Sequence, residues 1–316
     1  MKVGRRGSEL AVSPLKVLGQ QHNLPVHYIP PGKDKGALKT WQPPSSFSVP
    51  GTPPPSSHII ITASFGRILP KSILDLFLPG RRLNVHPSLL PVYRGAAPIQ
   101  HAIKDGLQET GVCVIDMLER SKGIDAGAIW GEQRVTIPEG AAFADLRDNL
   151  ARTGGQLLVS VLRDMIAGKA MSKPQAEDPA APRASFITLE DALVDFDTMT
   201  AEQIARHSRA FSHQHPLTAT LKSKRTLQLH SISVYDGPSD VLKQLPIPGT
   251  ATFDRSANAL LIRCASDTIL SVPQVKQQDR TLLKAREWWN GVRPDLRLQV
   301  GDEGPIQFLR PAPVRS

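Results

Sequence analysis

The stretch Arg82-Leu83-Asn84-Val85-His86-Pro87-Ser88-Leu89-Leu90-Pro91-Val92-Tyr93-Arg94-Gly95-Ala96-Ala97-Pro98-Ile99-Gln100 decides how the rest of the chain is read. Its opening, Leu83-Asn84-Val85, suits a buried strand. Its end places Pro98 in the first turn of a helix, where a missing backbone N–H costs nothing. Asn84, His86 and Ser88 stand at alternate positions, and alternate residues of a strand face one side. An amide, an imidazole and a hydroxyl thus line up at a strand end, where open α/β sheets bind ligands. An asparagine in an apolar strand costs free energy unless its amide is hydrogen-bonded or used. Pro87 and Pro91 keep Ser88-Leu89-Leu90 extended, a shape suited to holding a ligand. The plain alternative is a structural histidine at position 86, satisfied inside the core.

Working outward, His58–Ser64 (HIIITAS) is a continuous β-branched run, as expected of a buried parallel strand. The turn Ala63-Ser64-Phe65-Gly66-Arg67-Ile68-Leu69-Pro70 leads to a helix near Lys71–Leu76. A helix from about Pro98 to Asp105 and strands at Thr110–Met117 and Ala128–Val135 follow. A long helix then spans Phe143–Ala167, its stripe made by Leu146, Leu150, Leu157, Leu158, Val161 and Leu162. Alternating strand and helix predicts a mostly parallel, Rossmann-like α/β sheet. Upstream, Ser13–His22 reads as a helix capped by Ser13, and Leu24–Ile29 as a short strand. Residues 30–57 are a Pro/Ser-rich insertion.

Residues 169–196 are polar and Pro-rich at their start and read as a linker. Thr200–Phe211 is an amphipathic helix with Thr200 as its N-cap. Five short strand runs follow, at Leu217–Leu221, Thr226–Val234, Thr250–Phe253, Ala259–Cys264 and Thr268–Val272, and predict a small OB-like β-barrel. Leu282–Trp289 closes the chain as a helix in which Trp288 and Trp289 pack in the core rather than stack on bases. The expected domains are residues 1–168, the linker 169–196, and residues 197–316.

Composition sets the limits. The 316 residues are 40% hydrophobic, enough for real cores, and no apolar run reaches membrane-spanning length. The formal charge of +9 favours a polyanionic partner. Residues 197–316 hold 16 Lys/Arg against 11 Asp/Glu, so the smaller C-terminal part is denser in positive charge. The two cysteines, Cys113 and Cys264, sit in apolar runs and read as buried thiols in a reducing compartment. The His and Cys spacings offer no metal site.

The run Asn84-Val85-His86-Pro87-Ser88-Leu89-Leu90-Pro91 resembles the signature of the folate-dependent formyltransferases and hydrolases. Its continuation, Tyr93-Arg94-Gly95-Ala96-Ala97-Pro98-Ile99-Gln100, resembles the methionyl-tRNA branch of that family. Gly123-Ile124-Asp125-Ala126-Gly127 lies where the family places a catalytic Asp, with Ala126 in place of its usual Thr. The resemblance implies Asn84, His86 and Asp125 as catalytic residues. It implies a folate pocket formed by Ser88, Leu89, Leu90, Pro91, Phe65 and Gly66, with Phe65 standing for the usual Tyr. It further implies tRNA contact by Arg5, Arg6 and Lys16 and by the basic C-terminal barrel. The implied reaction moves a formyl group from 10-formyltetrahydrofolate to the amine of initiator methionyl-tRNA in a monomer that needs no metal and no membrane. Two rivals are another folate enzyme, acting on a sugar nucleotide or hydrolysing formyl-folate, and a catalytically impaired RNA-binding remnant. Gly4-Arg5-Arg6-Gly7 resembles a loop that the family sets after a strand–helix–strand unit, so an N-terminally incomplete sheet is expected. Formylated initiation in eukaryotes belongs to organelles, and the Pro/Ser insertion points to a mitochondrial matrix protein.

Overall fold

The computed structural model describes residues 12–27, 54–299 and 304–311, together with residues 2–3, 9–10, 38, 41, 44 and 52. Most of the 30–57 insertion and both Arg5 and Arg6 lie outside the described residues. The chain forms two compact units, one of residues 1–84 and 116–127, the other of residues 85–115 and 128–316.

The first unit begins with the antiparallel pair β1 (Lys2–Val3) and β2 (Glu9–Leu10) and the helix α1 (Pro14–Gln21). Ser13 precedes α1 as expected, but its side chain makes no cap hydrogen bond. The strand expected at 24–29 is not formed by residues 24–27, and residues 28–29 lie outside the described ones. Pro25 explains the break, since it removes a ladder donor. Next come β3 (Ile60–Ala63), α2 (Lys71–Leu74) and β4 (Arg82–His86), whose last two residues belong to the second unit. Arg82 anchors the start of β4 by donating from Nε and Nη2 to the Phe77 carbonyl at 2.9 and 2.7 Å.

In the second unit β5 (Arg94–Gly95) precedes α3 (Pro98–Lys104), with Pro98 in the first helical turn as its sequence position requires. Then follow β6 (Glu109–Asp116), β7 (Ile129–Thr136) and α4 (Phe143–Ile166). The sheet order is β3-β4-β6-β7, and β6 pairs antiparallel with β7, so the sheet is mixed at this side. Val112, Cys113, Val114 and Ile115 are all buried, which is why β6 reads as an unbroken apolar run. Gly154 lets α4 approach the sheet closely: a Cβ there would stand 2.8 Å from Val85 Cγ1 and 3.1 Å from Val112 Cγ1.

The polar connection is not a free tether. It contains β8 (Arg183–Ala184), which pairs in parallel with β5, and Lys173 forms a bridge to Ile129. The helix α5 (Ala201–Phe211) carries a full capping box, Thr200 with Gln203, and buries Ile204, Ala205 and Phe211.

Beyond it lie β9 (Thr218–Leu221), β10 (Thr226–His230), β11 (Ser233–Val234), β12 (Thr250–Asp254), β13 (Ala259–Arg263), β14 (Ile269–Val272), β15 (Gln274–Gln277), β16 (Leu283–Lys284), the helix α6 (Ala285–Asn290) and β17 (Ile306–Leu309). They form one antiparallel sheet ordered β11-β14-β13-β12-β17-β9-β10-β15-β16. β17 joins the two halves by pairing with both β12 and β9. Trp288 is buried and donates from Nε1 to Gln277 Oε1 at 3.0 Å, while Trp289 lies under the Arg297 guanidinium at 4.4 Å. A single core within this unit runs from Ile99 and Val112 through Leu146, Ile204 and Phe211 to Leu229, Ile262 and Phe308. Cys113 and Cys264 are free and buried, and burial pushes their thiols up to about 11 and about 12. No helix among the described residues is long and apolar enough to cross a membrane.

Candidate active site

Asn84 and His86 occupy alternate positions of β4, as the sequence pattern requires. Within the first unit, Thr62 on β3 donates its hydroxyl proton to Asn84 Oδ1 at 2.8 Å. That bond fixes the amide: with Oδ1 occupied, the NH2 end is left to donate to another oxygen. The same hydroxyl lies 3.1 Å from Met117 Sδ. Thr62 escaped the sequence analysis because it sits in an apolar strand 22 positions from its partner, and only its polarity within HIIITAS marks it.

In the second unit His86 is 4% exposed, and its Nε2 lies 3.0 Å from the Tyr93 carbonyl oxygen. A carbonyl oxygen only accepts, so it is Nε2 that carries a proton toward Tyr93. Tyr93 thus holds the His86 ring through its backbone carbonyl, a contact that the identity of its side chain does not signal. Tyr93 has φ +59° and donates its N–H to the Pro182 carbonyl at 2.7 Å. Its hydroxyl donates to Asp105 Oδ2 at 2.8 Å, and burial, with that bond second, pushes the phenol pKa up. The loop is tied to the connecting segment further on. Ala96 N–H donates to the Ala184 carbonyl at 2.7 Å, and Arg94 donates from Nε and Nη2 to Gln175 Oε1 at 2.9 and 2.6 Å. Gly95, at φ +129°, is the one residue that fits there, because any Cβ would collide with the Ala184 carbonyl.

The residues expected to line a folate pocket divide. Ser88 is buried and donates its hydroxyl to the Val92 carbonyl at 2.7 Å, closing its own loop. Leu89 packs so closely on β6 that a Cβ at Gly111 would overlap it. Leu90 is buried with Cys113, Ile115 and Ile129, and the peptide bond to Pro91 is cis. In the first unit Phe65 is 38% exposed beside Gly66, whose φ is +72° and whose surroundings are open.

Asp125, also in the first unit, is half-buried and holds φ +54°, a strained conformation that Asp tolerates better than most residues. The loop that presents it is fixed at both ends. Gly123 adopts φ +104°, and a Cβ at Gly127 would strike the Asp116 carbonyl oxygen. Lys16 is half-buried on α1. Among the described residues no group of three or more His, Cys, Asp or Glu is placed to hold a metal ion.

The chain is similar to known proteins along most of its length. The formyl transferase family matches residues 55–162, and the formyl transferase C-terminal domain matches residues 186–293. Methionyl-tRNA formyltransferase of Staphylococcus epidermidis is 32% identical over 294 residues, which are 93% of this chain and 86% of the relative. The protein of the same name from a Janthinobacterium species is 34% identical over 90% of this chain and 85% of its own. Two solved structures share the fold. HypX from Aquifex aeolicus in complex with tetrahydrofolic acid superposes with a TM-score of 0.54 and 18% identity, covering 73% of this chain and 38% of its own. WlaRD, a sugar 3N-formyl transferase, superposes with a TM-score of 0.51 and 18% identity, covering 71% of this chain and 73% of its own.

Proposed function

Because the chain belongs to the formyl transferase family, we propose that it transfers a formyl group from 10-formyltetrahydrofolate to the amino group of initiator methionyl-tRNA. The observation that carries the chemistry is the Thr62–Asn84 bond, which occupies Oδ1 and leaves the amide NH2 of Asn84 as its donor end. The methionyl amine attacks the formyl carbon, a new C–N bond forms, and negative charge grows on the formyl oxygen. Asn84 donates to that oxygen without having to reorganise, the source of most oxyanion stabilisation. His86, held by the Tyr93 carbonyl, accepts the proton of the attacking amine. Collapse of the tetrahedral adduct breaks the bond to the folate nitrogen, and the proton taken up by His86 is returned to that leaving nitrogen, with Asp125 orienting His86 and helping to carry it. The exposed ring of Phe65 beside the open space at Gly66 suits a flat heterocycle, and the backbone of Ser88 to Pro91 suits the edge of the same ligand.

We assign the catalytic half to residues 1–168 and tRNA binding to residues 197–316, with Arg5, Arg6 and Lys16 at the acceptor end. The excess of Lys/Arg in residues 197–316 supports that division. The protein acts as a monomer in the mitochondrial matrix. The test is single-turnover formylation with 10-formyltetrahydrofolate and charged initiator tRNA. Asn84→Ala and His86→Ala are expected to lose on the order of 100-fold in rate. Wild-type rates in either variant rule out the assignment.

A further inference from the structure

A cleft of about 720 Å³ lies in the second unit, formed by the end of α3, the turn that leads into β6, the end of β7 with the turn after it, and one face of α5. Its lining includes Arg206, Arg209, Glu139 and Glu202. Arg206 reaches it past Gly106, where a Cβ would stand 3.0 Å from the guanidinium Nε, and that Nε donates to the Lys104 carbonyl at 3.3 Å. Arg209 is different. It is half-buried, its Nε is fully shielded without a hydrogen-bond partner, and it enters no ion pair among the described residues. Burial and the neighbouring Arg206 charge both work against its own charge, and only Glu139 favours it. A shielded guanidinium Nε without an acceptor is unfavourable, because an unmade charged hydrogen bond is costly. Two guanidiniums from one helix lining the same cleft suit a planar or tetrahedral oxyanion. Glu202 on α5 and Glu139 in the turn after β7 would repel a bare anion and instead accept from hydroxyl groups carried on it. The cleft is large enough for a ligand of several tens of atoms.

We propose that this cleft binds a ribose phosphate, with Arg206 and Arg209 on the phosphate and Glu139 and Glu202 on the ribose hydroxyls. The same chemistry is offered by a free nucleotide and by one residue of an RNA strand. The experiment has two arms, both on the full chain. Calorimetric titration with adenosine monophosphate tests the free source, and initiator tRNA binding across a salt series tests the strand. Arg209→Gln and Arg206→Gln are compared with wild type, their folding checked by melting temperature, and Arg209→Lys keeps the charge without the fork.

If a free nucleotide is the ligand, wild type binds adenosine monophosphate and either Gln variant weakens it at least about tenfold, with tRNA affinity unchanged. If an RNA strand is the ligand, the Gln variants bind tRNA about five- to tenfold more weakly and the log–log salt slope shrinks by about one. In both cases Arg209→Lys restores only part of the binding. Wild-type binding of both ligands by folded Gln variants, or failure of wild type to bind the nucleotide together with unaltered tRNA affinity in the variants, overturns the proposal.

Discussion

At the scale of single residues, the proposed chemistry depends on two supports, one behind the donor Asn84 and one behind the base His86. Removing the Thr62 hydroxyl takes away about 1 kcal/mol of hydrogen bonding from Asn84 and frees its amide to rotate. Thr62→Val is therefore expected to slow formylation by about tenfold while leaving tRNA affinity intact, as single-turnover rates and filter binding will show. An unchanged rate would mean that the amide needs no holding. Asn84 and His86 were legible because their spacing is local and their polarity breaks an apolar strand. Thr62 and Tyr93 were not, since their parts are played through a side chain 22 positions away and a backbone carbonyl. Ser88 shows the converse: its alternate position suggested a ligand-facing hydroxyl, and the loop closes on it instead.

At the scale of elements, α4 offers a matched pair of glycines. Gly154 faces the sheet with no room for a methyl group, whereas Gly155 has nothing within 4 Å of its Cβ position. Gly154→Ala should cost about 1–3 kcal/mol through overpacking. Gly155→Ala should gain up to about 1 kcal/mol from helix propensity. Opposite shifts in melting temperature check both. A second test concerns α5, where burial, with the Lys104 and Arg206 charges behind it and Asp105 and Asp191 opposing, holds the His207 imidazole at about 4 instead of 6.5. Between those values the unfolded chain binds the extra proton, so stability is lost as pH falls through that window. Replacing His207 by Phe should flatten the urea-midpoint profile between pH 6.5 and 4, and an unaltered slope would exclude His207 as its source. The amphipathic helices and β-branched strands were readable because burial imposes their periods. β15 (Gln-Val-Lys-Gln) escaped because three of its four residues are polar, and β17 because it lies beyond the closing helix and pairs only with distant strands.

At the scale of the whole molecule, alternating and then strand-rich halves were plain from pattern, and so was the basic balance of the second half. With initiator tRNA as the partner, affinity should fall by about tenfold or more between roughly 50 and 200 mM salt. Salt-independent binding would show that the positive charge is not what holds the nucleic acid. What pattern did not reveal is the work of the polar connection. A Pro-rich stretch has no periodicity to betray a two-residue strand, so β8 and its pairing with β5 became visible only in three dimensions.

That pairing makes the two halves poor candidates for exchange. Pro182 and Ala184 supply the acceptors that hold Tyr93, Ala96 and Ala97, and Tyr93 in turn holds His86. A recombinant swap of tails with a crossover between Ala97 and Pro182 would exchange the backbone on which the proposed catalytic loop is hung. Evolution is free to vary the C-terminal sheet, but the crossover has to fall after this stitch, so the natural seam of the protein lies downstream of where its composition changes.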